Sequence, residues 1–360
     1  MSPEVVDWEF AASVARRVSG TEPFSQSYHA DSLVTDFEEL TAEAEELVAV
    51  NTGLRSLSGP ARARVTDRSG WVDANLAGFR RLLGPISERL GERLGSSPLS
   101  PVARRVAGAE VGAMLGWMSG RVLGQYDLLV VEDIEPEAQD IVYYVGPNVL
   151  ALEKRFAFPP RQFRLWLALH EVTHRAQFTG VPWLREHYLG LLDQVLGAID
   201  PDPKRFLAAI GRMIDQVRAG HNPLDDGGVA TLFASEEQRA ALEQVGGLMS
   251  LLEGHGDVTM DRAGAQLIPS ADRFGRVLRQ RRQQSRGLVK LIQSLVGLEA
   301  KLAQYQQGEE FIAVVEEAGG PEVLDRAWAG AEWLPSMVEI RDPEAWLQRV
   351  GVPTGNALAG

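Results

Sequence analysis

The chain has 360 residues, 45% hydrophobic and 24% charged, enough for one large domain or two smaller ones around a sizeable core. A formal net charge of -13 argues against a nucleic-acid partner, whose phosphates want a basic surface, and the lack of cysteine excludes disulfides and thiolate metal ligands. No run reaches the ~18 uncharged apolar residues of a membrane span and the N-terminus has no signal-like apolar core, so a soluble cytoplasmic protein without membrane association is expected.

Apolar spacing predicts helices over Pro3–Val18, Asp31–Asn51, Trp71–Leu94 and Ser100–Tyr126, the last opened by a serine cap with Pro101 at N1. This last segment carries Gly108, Gly112, Gly116, Gly120 and Gly124, each four apart. Glycine costs up to ~1 kcal/mol in a helix interior. A stripe of them therefore predicts a second helix packed very close, in a soluble core and not in a membrane, because Glu110 and Arg121 interrupt the apolar run. The β signal lies in Asp127–Glu132 (DLLVVE) and Ile141–Val145 (IVYYV), apolar runs closed by Gly146-Pro147. Either run is a candidate edge for an extended peptide.

After Pro159-Pro160 a helix is predicted from Arg161 to about Phe178, with Gly180 and Pro182 as stop signals. Further helices are expected over Pro182–Ile199, Pro203–Ala219, Glu236–Arg262 and Ser270–Gln304, with His221–Gly228 (HNPLDDGG) a candidate mobile loop. The fold class is mainly α with a small β hairpin or sheet. It forms one large helical domain over 1–350, or two lobes at 1–158 and 159–350, with 351–360 a tail.

The helix at 161–178 contains His170-Glu171-Val172-Thr173-His174, an H-E-x-x-H. Positions i and i+4 share a helix face, so both imidazoles can address one ion, while Glu171, about 100° round, suits a general base acting on water. The apolar neighbours Leu165, Leu167, Leu169 and Val172 put the motif on a buried helix, which counts against two merely solvated histidines.

Two histidines hold zinc poorly without a third protein ligand. A metzincin completion would need glycine at 177 and histidine at 180, where this chain has Gln177 and Gly180. The alternative is a downstream acidic residue. Glu253-Gly254-His255-Gly256-Asp257 offers Glu253 as ligand, Asp257 at i+4 to orient a ligand histidine, and glycines that would let this helix approach the first closely. His255 is the other ligand candidate, and otherwise a donor to a developing oxyanion. Tyr305, at i+4 from Lys301, could reach a tetrahedral intermediate or simply pack. His29, His187 and His221 stand alone and read as surface or core residues. The arginines between Arg273 and Arg286 read as a solvated or salt-bridged face, with an anionic-lipid or nucleic-acid surface as the weaker reading.

Taken together, YYVGPNVLALEKRF (143–156), FRLWLALHEVTHRAQF (163–178), SLLEGHGDVTMD (250–261), KLAQYQQGEEF (301–311) and EIRDPEAWL (339–347) resemble the zincin-like type 2 metallopeptidases, candidate zinc-dependent hydrolases of actinobacteria and Chloroflexus-like bacteria. The resemblance implies a mostly helical fold with a zincin-like core and carries His170, Glu171 and His174 over directly. It also links some members with biosynthesis of a deazaflavin coenzyme. The reading is a Zn²⁺ hydrolase acting on a peptide or other amide, with His170, His174 and Glu253 as ligands and Glu171 as base. A helical scaffold with a vestigial or structural metal site, and an amidase of a small metabolite, are the alternatives.

Overall fold

The computed structural model describes residues 4–24, 28–84, 100–128, 140–197, 236–283 and 298–352, without the side chains at 28, 29, 100, 197, 279, 281–283 and 298–306. It is mostly helical with one three-stranded sheet. In chain order the elements are α1 (Trp8–Val18), α2 (Tyr28–Thr52), β1 (Arg62–Thr66), α3 (Arg68–Leu82), α4 (Ser100–Ser119), β2 (Gly124–Tyr126), β3 (Ile141–Val145), α5 (Gly146–Phe156), α6 (Pro160–Gly180), α7 (Leu184–Gly197), α8 (Glu236–Gly264), α9 (Ala271–Gln283) and α10 (Leu298–Gly319). Short pieces follow: α11 (Pro321–Leu324), two 3-10 turns, α12 (Met337–Arg341) and α13 (Pro343–Arg349). The chain divides into two compact units, Met1–Pro182 with Thr259–Phe274, and Trp183–Val258 with Gly275–Gly360. No described helix is long and apolar enough to cross a membrane.

In the first unit, α1 and α4 pack backbone to backbone. A Cβ on Gly108 would lie 2.5 Å from the Asp7 carbonyl oxygen, and Cβ atoms on Gly112 and Gly116 would meet the carbonyls of Ala11 and Ala15. The expected close packing is therefore real, but the glycine stripe is three residues long, not five. α4 ends at Ser119, whose hydroxyl donates to Gly116 O, and Arg121 and Val122 both turn back to Met118 O. Gly120 sits in that turn and Gly124 in β2, so the predicted helix to Tyr126 stops seven residues early.

The sheet order is β1-β3-β2, with β1 parallel and β2 antiparallel to β3. IVYYV forms β3 as expected and is buried throughout. Tyr144 stacks on Phe37 at 3.8 Å and shares a hydrogen bond with Thr41 at 2.8 Å; burial raises its phenol well above the ordinary value. β3 is central, with both edges paired, so it offers no edge to a peptide. In DLLVVE, Asp127 and Leu128 follow β2 outside the strand, and 129–132 lie outside the described residues. β1, whose partner in β3 is 79 residues on, had no local signal in RARVT.

α6 is fixed by its buried ions. Arg164 donates to both Glu153 oxygens at 2.8 and 2.9 Å and to Asp36. Burial alone would lower its pKa, but these partners outweigh it and raise it. Arg175 donates to Glu45 Oε1 and Gly59 O, each at 2.8 Å, and to the Asp140 carbonyl. Phe158, Phe163 and Phe274 close the start of α6 with ring centroids 4.7–5.2 Å apart. Exposed Arg273 donates to the last carbonyls of α5, Phe156 O and Ala157 O, which is the helix-end role of a cation.

In the second unit, Leu251, Phe311, Ile312, Val315, Trp346 and Leu347 make the core. Within this unit α8 packs closely on α10 at Gly254, where a Cβ would lie 2.7 Å from Gly308 Cα and Glu309 N. The predicted helix at 203–219, the loop at 221–228 and part of the stretch at 270–304 lie outside the described residues.

Candidate metal centre

α6 runs Pro160–Gly180 with Leu165, Leu167, Ala168, Leu169 and Val172 buried, so hydrophobic burial fixes the rotation of the helix. One turn of its remaining surface carries His170 and His174, both half-buried. Their Nε2 atoms face each other at 3.3 Å, with the rings at 84°. Two imidazole ligands at ~2.0–2.1 Å from a tetrahedral zinc ion stand about 3.3–3.4 Å apart. The pair is thus preset at ligand spacing.

Glu171 lies against the sheet. In the antiparallel ladder the Asp127 N–H and the Leu123 carbonyl are the groups bonded to β3, which leaves the Tyr126 N–H pointing outward. Glu171 Oε2 accepts that N–H at 3.0 Å. A Cβ on Gly124 would fall 2.8 Å from both Cγ and Oε1 of Glu171. Glycine is needed there because the carboxylate occupies the space a side chain would fill. The Tyr126 hydroxyl donates to Asp140 Oδ1 at 2.8 Å, and Arg175 of α6 holds the Asp140 carbonyl at 3.3 Å, so strand and helix are tied together beside the motif.

Gln177, noted in the sequence only because it is not glycine, is fully buried and places Oε1 3.0 Å from His174 Nδ1. Glu253 on α8 is 6% exposed. Ligand atoms of His170, His174 and Glu253 all lie within 4.8 Å of one another, a grouping able to hold a metal ion. Two imidazole nitrogens and one carboxylate oxygen, with no thiolate, are a donor set that suits zinc, so the residues present fit a divalent ion.

His255 stands outside that grouping; it is 7% exposed, with its ring 5.2 Å from Trp328 in an edge-on arrangement. Asp257 is half-buried one turn beyond Glu253. Tyr305 belongs to α10, and its side chain lies outside the described residues. Tyr188 on α7 was not singled out by sequence. Burial, and then the charge of Glu253, raise its phenol above the ordinary value. His187 is held below the usual imidazole value by burial and sits 5.8 Å from the Trp183 ring.

Residues 6–347 match the family described as zincin-like metallopeptidases. A crystal structure from Chloroflexus aurantiacus, of a candidate hydrolase with a novel fold, is similar at 31% identity over 96% of this chain and 98% of that one, with a TM-score of 0.69. No curated protein matches the chain.

Proposed function

From membership of the zincin-like metallopeptidase family, to which this chain belongs, we propose that this metal-dependent hydrolase is a zinc peptidase that cleaves an amide bond with water. His170, His174 and Glu253 hold the ion. When bound, zinc supplies Lewis acidity, polarising the scissile carbonyl and lowering the pKa of water. Glu171 takes the proton from the attacking water and passes it to the leaving amine. The Tyr126 N–H holds its Oε2 at 3.0 Å. His255 and Tyr305 are kept as candidate donors to the developing oxyanion.

The observation that chiefly supports this reading is the pair of Nε2 atoms at 3.3 Å beside a carboxylate fixed by a backbone N–H. The first is the spacing that two ligands of one ion need, and the second holds the carboxylate in place beside them. The test is Glu171→Gln, assayed on a mixed peptide library by mass spectrometry together with zinc content. Zinc should be retained, and kcat/KM should fall by roughly 10²–10⁴, the usual worth of a positioned general base. Turnover at the wild-type level in that variant would remove Glu171 from the mechanism.

A further inference from the structure

We propose that Gln177 is the positioning residue of the metal centre, fixing His174 as the Nδ1–H tautomer so that the Nε2 lone pair faces the ion; this rests on reading His170 and His174 as metal ligands. The two side chains are one turn apart on α6, with Gln177 Oε1 3.0 Å from His174 Nδ1. A neutral imidazole carries one N–H, and an amide oxygen can only accept, so the proton belongs on Nδ1. Gln177 is 0% exposed, so water does not compete for that contact. The far nitrogen, Nε2, lies 3.3 Å from His170 Nε2, in the position where a lone pair and not a hydrogen is needed.

The amide has a further consequence. A ligand histidine often leans on a carboxylate, which draws its proton and makes it a stronger donor. Gln177 orients the ring without adding charge. Glu253 is then the one anion among the three ligands, and a divalent ion there keeps a net positive charge with which to act on substrate. Gln177→Glu should therefore tighten zinc and weaken catalysis, whereas Gln177→Leu removes the acceptor while preserving bulk and burial.

The test begins with metal-free wild-type protein at pH 8, where an ordinary imidazole is neutral. Nitrogen-15 shifts of the His174 ring should report the Nδ1–H tautomer, and in Gln177→Leu the Nε2–H form should appear. Zinc affinity, measured by competition with a chromophoric chelator, should fall about 10–100-fold in Gln177→Leu and be at least restored in Gln177→Glu. An Nε2–H tautomer in the wild-type protein overturns the proposal. So does wild-type zinc affinity in folded Gln177→Leu. The tautomer is read without metal, so it judges Gln177 even where Gln177→Leu does not fold. Failure of wild-type protein to bind zinc would instead count against the metal-site reading itself.

Discussion

Gly124 and Glu171 are far apart in sequence, yet each accounts for the other. The carboxylate is held on one oxygen by the Tyr126 N–H, and its Cγ and Oε1 occupy the volume next to Gly124. In a strand, alanine ordinarily suits the chain better than glycine by about 0.5–1 kcal/mol, because glycine has more freedom to lose. Here the added methyl meets Glu171 at 2.8 Å, so either the carboxylate or β2 must shift. Small displacements of a reacting group cost rate far more than stability, on the order of 10²-fold for 1 Å. Gly124→Ala is expected to keep its zinc and its melting temperature within a few degrees while kcat drops about 10²-fold. A variant with unchanged kcat would mean that Glu171 is not held in its working position by this contact.

Between α1 and α4, closeness itself is the interaction. Gly112 makes the point: alanine there would gain up to ~1 kcal/mol of helix propensity. Its Cβ would, however, press on the Ala11 carbonyl and lie 3.0 Å from Ala11 Cα, and overpacking of this kind costs about 1–3 kcal/mol. Gly112→Ala should lower stability by roughly 1–2 kcal/mol in urea unfolding. Gly120→Ala, whose nearest neighbour would be Arg68 at 3.8 Å, should stay within 0.5 kcal/mol of wild type. Equal effects at the two sites would refute the close-packing role of Gly112. The stripe was legible in sequence because glycine at every fourth position weakens a helix unless a neighbour needs the room, but its end was not. Four-residue spacing continues into Gly120 and Gly124, and nothing local says that the chain has turned into a strand that serves Glu171. The same limit hid β1, whose pairing is non-local and parallel. α6 was legible to within two residues of each end because its apolar period, its flanking prolines and its H-E-x-x-H all agree, although the helix runs through Gly180 instead of stopping before it. Gln177 was visible only as a departure from another motif, since its role depends on a rotamer and not on spacing.

On the scale of the whole chain, the three candidate ligands couple metal binding to folding. His170 and His174 are a local pair, but Glu253 is 79 residues after His174, and an unfolded chain does not hold it beside them. Zinc should therefore bind the native state in strong preference and stabilise it by mass action, about 2.7 kcal/mol at a free concentration of 100 times Kd. A chain of 360 residues unfolding in one transition has an unfolding entropy of about 0.76 kcal/mol/K, from ~2.1 cal/mol/K per residue. The melting temperature should accordingly rise by about 3–4 °C on saturation and return when zinc is chelated. Glu253→Ala leaves only the i, i+4 pair, a weak site that unfolded segments can also provide, so most of the shift should vanish at the same zinc concentration. Calorimetric scans of both proteins, with and without chelator, measure this directly. A full zinc-dependent shift in Glu253→Ala would assign the third ligand to another residue, and no shift in either protein would show that the two histidines do not hold the ion at all.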